Sequence, residues 1–177
     1  KLKNVQTIDV STINSNRTKD MRYMFCYAEN LGTLDLSSFD TSNVTTMEGM
    51  FSRAYNLTSL DISSFNTENV TNMYGMFYMN QKLTTLNVSS FDPSNLQDAR
   101  AIFQKCSSLK ELDISNFDMS SVTNASGIFT GLTSIQKIKT PVTYPSSVAI
   151  ALPTTFHTTS GVSYSTLNSS SPTETWI

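Results

Sequence analysis

Residues 57–80 read LTSLDISSFNTENVTNMYGMFYMN, and closely similar sequences occur before and after them. Phenylalanine recurs with a step of 26 residues, at Phe25, Phe51, Phe77, Phe103 and Phe129. Five repeats begin at Val5, Leu31, Leu57, Leu83 and Leu109, and a partial sixth begins at Ile135. Self-similarity at this spacing predicts a solenoid in which stacked coils share one core.

Each repeat divides into an alternating segment, a turn and an apolar stripe. In the second repeat, Leu34 and Leu36 alternate with polar residues, which predicts a short strand that pairs in parallel with its equivalents. A stripe with helical spacing follows, formed by Val44, Met47, Met50, Phe51 and Ala54. The stripe predicts a short helix in which the methionines fill the core. A stretch this brief also fits a second strand followed by a 3₁₀ turn, which would make the solenoid nearly all-β.

The repeat pattern stops after Thr140, which divides the chain into a solenoid of residues 1–140 and a C-terminal part of residues 141–177. Residues 148–152 and 162–167 are strand-like and flank a turn-like segment at 158–161. We therefore predict a β-hairpin that caps the last coil, because an uncapped solenoid end is an open sheet edge. The expected fold class is an α/β repeat with one parallel strand and one short helix per coil, closed by this hairpin.

Written out, the repeat Leu-x-x-Leu-Asp-Leu-Ser-Ser-Phe-Asp-Thr-Ser-Asn-Val-Thr-x-Met-x-x-Met-Phe resembles that of the BspA-like leucine-rich-repeat surface proteins of bacteria. Residues 31–56 match it almost word for word, and the resemblance covers residues 5–140. It implies an extracellular protein, secreted or attached to the cell wall, with adhesion to host proteins or other cells as its role. The family offers no catalytic residue to carry over, so we expect neither an enzyme nor a cofactor.

Composition limits the partners. Only 15% of the residues are charged and the net charge is −2, so the chain lacks the basic field that nucleic acid requires. No run of about 18 apolar residues occurs, so we expect no membrane insertion within this fragment. Lys1 is not an initiator methionine, which suggests a mature or trimmed fragment whose signal and anchor, if any, lie outside it. We expect a monomer.

The two cysteines are expected to remain unbridged. Cys26 and Cys106 lie three coils apart, which is about 14 Å at about 4.8 Å per coil and beyond the reach of a disulfide. Two cysteines cannot form a zinc site without histidine, and the single histidine, His157, lies in the C-terminal part. His157 also has no acidic neighbour in sequence, so no nucleophile with its base is evident.

An acidic column follows the second leucine of the repeats, at Asp9, Asp35, Asp61, Asn87 and Asp113. Carboxylates about 4.8 Å apart repel each other by about 0.9 kcal/mol in water, so a compensating interaction is expected. One hypothesis is a calcium ion that bridges Asp35 and Asp61. The other, which we favour, is that each carboxylate accepts hydrogen bonds from nearby hydroxyls or turn amides.

Binding residues are expected where the repeat does not dictate the side chain. Two columns vary while the core columns hold: Arg22, Glu48, Tyr74, Arg100 and Ser126, and Tyr27, Arg53, Met79, Lys105 and Gly131. Tyr, Arg and Met are enriched at interfaces, so we predict a contact patch of Tyr27, Arg53, Tyr74 and Met79. Neutral surface variation is the alternative explanation. Asp61, on the strand face, marks the competing surface.

A glycine column lies beside these positions, at Gly49, Gly75 and Gly127. We interpret it as a place where the backbone approaches a neighbouring coil too closely for a side chain. Tyr23 breaks this column in the first repeat, and we interpret it as part of an N-terminal cap.

The resemblance to BspA-like proteins therefore implies a non-catalytic bacterial surface module that adheres to an extracellular protein or glycan of a host or a neighbouring cell. The alternative is a structural spacer that projects another domain from the cell wall.

Overall fold

The computed structural model describes residues 2–141, 143–145, 148–157, 163–167 and 175–176. Five strands occur in chain order: β1 Glu111–Asp113, β2 Lys137–Lys139, β3 Ile150–His157, β4 Ser163–Leu167 and β5 Thr175–Trp176. The described residues contain neither α-helix nor 3₁₀-helix, and none of them forms a helix that could span a bilayer.

Overlapping turns stand where a helix was predicted. In the second repeat, the N–H groups of the later residues donate to C=O groups three positions back: Met50 to Met47, Ser52 to Gly49 and Ala54 to Phe51. Gly49 and Arg53 have φ angles of 57° and 61°, in the left-handed region that an α-helix of L-residues does not contain. The predicted α/β leucine-rich-repeat solenoid with a helix in each coil is therefore wrong.

Hydrogen bonds between repeats explain why the turns replace the helix. The Gly49 N–H donates to the Tyr74 C=O at 2.8 Å, and the Arg53 N–H donates to the Tyr78 C=O at 2.7 Å. In each of the first four repeats, alternate N–H groups along the turn segment donate to C=O groups of the next repeat in this way. These groups cannot also make the i to i−4 bonds of a helix.

The prediction of one parallel strand in each coil is also wrong. Regular parallel pairing joins only β1 and β2 among the described repeats, with Glu111 opposite Lys137 and Asp113 opposite Lys139. In the first four repeats the corresponding leucine segments have no assigned strand. Single parallel bridges connect those repeats at another position, Asp20 to Thr46, Thr46 to Asn72, Asn72 to Asp98 and Asp98 to Asn124.

The core is a set of side-chain columns that continue from one repeat to the next. Phe25, Phe51, Phe77, Phe103 and Phe129 are buried, and neighbouring rings in this series stack with centroids 5.7, 5.8, 5.9 and 6.5 Å apart. Met47, Met50, Met73 and Met76 have no exposed surface, so their predicted role as core filler is confirmed. Stacked aromatic pairs contribute about 0.5–1.5 kcal/mol each beyond their burial.

The C-terminal part contains two antiparallel pairings. Strand β3 pairs with β4, as a hairpin of these segments requires, and Ile150 and Leu152 at the start of β3 are buried. Strand β5 pairs with β2, which places Trp176 opposite Ile138. The turn predicted at 158–161 lies outside the described residues.

The cysteines agree with the prediction. Cys26 and Cys106 are not joined by a disulfide. The Cys106 S–H donates to the Phe77 C=O at 3.1 Å, and burial raises the pKa of this thiol to about 12.

Candidate binding groove

A groove of about 560 Å³ crosses the turn segments of the first four repeats. We call it the tyrosine groove, and its lining residues are Tyr23, Cys26, Tyr27, Gly49, Ser52, Arg53, Tyr74, Gly75, Tyr78, Ala101 and Gln104. Gly49, Gly75 and Ala101 occupy one repeat position, and we call them the floor of the groove because they carry the smallest side chains of its lining.

The floor residues share a left-handed backbone with Tyr23, which has φ of 56° at the same position of the first repeat, so the backbone alone does not require a small side chain. Gly49, Gly75 and Ala101 have φ angles of 57°, 60° and 53°, where glycine is the residue without a steric penalty. Close approach, our interpretation from the sequence, holds at Gly49, where an added Cβ would lie 2.5 Å from two carbons of the Tyr23 ring. At Gly75 it does not hold, because the nearest atom, the Tyr78 Cβ, would be 3.5 Å away.

Tyr23 closes the groove at the first repeat. Its side chain is 52% exposed, and its hydroxyl donates to the carboxylate of Glu48. This hydrogen bond and partial desolvation raise the pKa of Tyr23 to about 12. The second oxygen of Glu48 accepts from the Asn72 side-chain amide at 3.1 Å, so the pair is held by the next repeat.

Arg53 carries the charge of the groove. Its guanidinium group donates to the Tyr27 hydroxyl and lies 4.9 Å from the centre of the Tyr27 ring and 5.6 Å from that of Tyr78. Among the lining side chains that the structure describes, Arg53 alone is charged. Its partners are neutral phenols, and no described carboxylate lies within ion-pair distance of it.

The other arginines of the turn segments are paired differently. Arg22 binds the carboxylate of Asp20 at 2.6 Å, and Arg100 binds Asp98 through two guanidinium nitrogens. Arg100 also lies 4.6 Å from the centre of the Tyr74 ring, a cation–π contact that fixes this 40% exposed tyrosine.

The position of Arg53 is strained. Tyr27, Arg53, Met79 and Lys105 have φ angles of 60°, 61°, 62° and 61°, and the fifth repeat has Gly131 there. Left-handed backbone costs an L-residue about 1–2 kcal/mol. Such strain often marks a functional position. Here the first four repeats retain large side chains at a position where glycine would relieve the strain.

The groove floor offers ligands no backbone N–H group. The floor N–H groups all donate to the next repeat, from Gly49 to Tyr74 O at 2.8 Å, Gly75 to Arg100 O at 2.8 Å and Ala101 to Ser126 O at 3.0 Å. The floor C=O groups already accept from Ser52, Tyr78 and Gln104. Recognition in this groove therefore depends on side chains.

The leucine segments of the third, fourth and fifth repeats line a second groove of about 820 Å³, which we call the strand-side groove. Asp61 lies in it and accepts from the N–H and hydroxyl of Ser63 at 3.0 and 2.7 Å. These hydrogen bonds hold the pKa of Asp61 below its ordinary range, and Asp35 is bound by Ser37 in the same way. Hydrogen bonding thus supplies the compensation that we favoured. Within the described residues, no three metal-ligating side chains converge.

The structure brings together three of the four residues of the predicted contact patch, because Tyr27, Arg53 and Tyr74 line the tyrosine groove. Asp61 lies in the strand-side groove, and Met79, one repeat beyond Arg53, lines neither groove.

Sequence reasoning missed Tyr23 and Tyr78 as groove residues. The available signals were a tyrosine in the glycine column and a third variable column that contains Cys26, Ser52, Tyr78, Gln104 and Thr130.

The family model described as "Mycoplasma protein of unknown function, DUF285" matches residues 1–111, more than half of the chain. The matched range includes every residue that lines the tyrosine groove. No curated protein and no solved structure matches the chain.

Proposed function

We propose that this chain, which belongs to the DUF285 family, is a non-catalytic, BspA-like binding module that contacts its partner through the tyrosine groove. One observation carries the proposal. Variable residues from three repeats, Tyr27, Arg53 and Tyr74, come together with Tyr23 and Tyr78 around a single groove. Tyrosine and arginine are residues that dominate binding energies at interfaces.

The groove side chains are held in place before any ligand arrives. Glu48 fixes Tyr23, Arg100 lies against Tyr74, and Arg53 bridges Tyr27 and Tyr78. Side chains that are already ordered lose less conformational entropy on binding, which favours affinity. The strained backbone at Tyr27 and Arg53 is a second reason to assign a role to these residues.

The proposal includes an extracellular location at the cell surface or cell wall and a monomeric chain. The partner is a protein or glycan of a host or neighbouring cell. This part of the proposal rests on the likeness of the repeat to that of BspA-like surface proteins.

The test is a protein and glycan array probed with the purified chain and with two variants, Tyr74→Ala and Asp61→Ala. We expect saturable binding that Tyr74→Ala abolishes and Asp61→Ala leaves intact, because Asp61 lies outside the tyrosine groove. Loss of binding on Asp61→Ala alone would move the contact surface to the strand-side groove. Circular dichroism of each variant controls for folding.

A structural spacer is the second candidate, and the hydrogen bonds between repeats favour it. Backbone bonds such as Phe51 N–H to Met76 C=O at 2.9 Å join each repeat to the next, and the phenylalanine rings stack beneath them. A stiff stack of this kind would project a neighbouring domain without binding anything. If the stable, folded chain binds nothing on any array, that result would support the spacer.

A further inference from the structure

The charge in the tyrosine groove has a sign opposite to that of the whole chain. The chain has a net charge of −2, yet Arg53 alone among the described lining residues is charged. Its guanidinium group rests between the Tyr27 and Tyr78 rings, which anchor it without neutralising it. An arginine held in this way can bind a carboxylate with two parallel hydrogen bonds.

The rest of the lining is amphipathic. It contains four tyrosines together with Ser52 and Gln104, and it includes no aliphatic residue larger than Ala101. An apolar side chain of a protein partner would find no aliphatic pocket there. A sugar ring matches this surface, since its C–H face packs on a phenol ring while its hydroxyls form hydrogen bonds.

The floor excludes peptide capture by strand addition. Strand addition requires backbone N–H groups on the receiving edge, and those of Gly49, Gly75 and Ala101 already bind the next repeat. The ligand must therefore be recognised by side chains along its length. A polyhydroxylated chain meets this requirement better than an extended peptide.

We infer that the tyrosine groove binds a sugar chain that carries carboxylates, with Arg53 receiving a carboxylate and the tyrosine rings packing against the sugar rings. This inference rests on the proposed function and narrows its partner to an acidic glycan of the uronate type. The volume of about 560 Å³ lies within the range of sites for small ligands.

The test is an array of uronate oligosaccharides printed beside their carboxyl-reduced forms, which differ only in the acid group. We expect the chain to bind the uronates at least about tenfold more tightly, because a charge-assisted hydrogen bond is lost on reduction. Added salt should shrink the preference, since the groove is open to solvent. These comparisons use the unmodified chain, so they do not depend on the folding of a variant.

Two arginine variants locate the effect. Arg53→Gln should bind both forms equally, whereas Arg22→Gln, which removes an arginine already paired with Asp20 outside the groove, should keep the full preference. Arg53→Lys should retain part of the preference, because it keeps the charge but not the planar fork.

The outcomes distinguish failure of the acidic-glycan inference from failure of the binding module. Equal binding of both sugar forms, or binding of proteins alone, overturns the acidic glycan while the binding module stands. A preference that Arg53→Gln leaves unchanged also overturns the inference. Absence of binding to any sugar or protein overturns both.

Discussion

The Tyr23 ring lies over Gly49 so closely that two of its carbons are 2.5 Å from where a Cβ of residue 49 would stand. A Cβ at Gly75 would make only an ordinary van der Waals contact, with the Tyr78 Cβ at 3.5 Å. Both glycines have the same left-handed backbone, with φ of 57° and 60°. The two positions therefore differ in their neighbours and not in their conformation.

Alanine substitution should separate these effects. Gly75→Ala adds only backbone strain and should lower the free energy of unfolding by about 1 kcal/mol. Gly49→Ala adds the same strain and must also displace Tyr23 from Glu48, so we expect a further loss of about 1–3 kcal/mol in urea unfolding. Removing the ring with Tyr23→Ala should erase the difference between the two alanine variants. Equal stability of Gly49→Ala and Gly75→Ala would refute the contact.

The strained column gives a second prediction. Lys105 is exposed and has φ of 61°, so Lys105→Gly releases about 1–2 kcal/mol of strain, partly offset by the freedom of glycine in the unfolded chain. We expect a net rise of up to about 1 kcal/mol in unfolding free energy. Lys110→Gly, at an exposed position without positive φ, should lower it by about 0.5–1 kcal/mol. A drop of similar size for both would count against strain at residue 105.

The repeat period and the core were accessible from the sequence because they depend on side-chain spacing. The phenylalanine and methionine columns are buried as predicted. The sequence could not show that turns replace the helix, because apolar residues three or four apart fit overlapping i to i+3 turns equally well. Hydrogen bonds to the next repeat decide between the helix and the turns. The spacing of residues within one repeat gives no information about these bonds. Gly49 and Gly75, in the middle of the stripe, were the available sign of a non-helical backbone.

The candidate site was partly accessible for a similar reason. Variation among aligned repeats singled out Tyr27, Arg53 and Tyr74, which the fold brings to one groove. It could not show that Met79 lies outside the groove, because variation among repeats does not tell which side of a turn a residue faces. Asp61, which the sequence placed on the strand face, lies in the strand-side groove. Tyr23 was interpreted as part of a cap, although its ring also lines the groove.

The acidic column gives a third prediction, on pH dependence. Hydrogen bonds from Ser63 lower the pKa of Asp61 in the folded chain. This interaction therefore stabilises the fold fully above the unfolded pKa of about 3.9 and is lost as the pH falls through the lower folded pKa. Ser63→Ala should raise the pKa of Asp61 toward its ordinary value, as followed by carboxyl NMR. The matched variant Ser89→Ala, whose partner Asn87 does not titrate, should leave Asp61 unchanged. An unchanged Asp61 titration in Ser63→Ala would contradict this account.

The thiols give a fourth prediction. Cys106 is buried and its pKa is raised to about 12, so iodoacetamide should modify it only after unfolding. Cys26 is partly exposed in the tyrosine groove and should react in the folded chain. A ligand seated in the groove should slow the reaction of Cys26 and leave that of Cys106 unaltered. Equal labelling of both thiols in the native chain would be the opposite result.

The most direct test of the binding groove is the dissociation constant of a ligand found on the array, measured by calorimetry for the wild type, Tyr74→Ala and Asp61→Ala. Loss of an aromatic contact residue at the centre of an interface typically costs 2 kcal/mol or more of binding free energy, which raises the dissociation constant roughly 30-fold. We predict at least this loss for Tyr74→Ala and a change of less than about twofold for Asp61→Ala. Wild-type affinity in a folded Tyr74→Ala variant would contradict the assignment of the tyrosine groove as the contact surface.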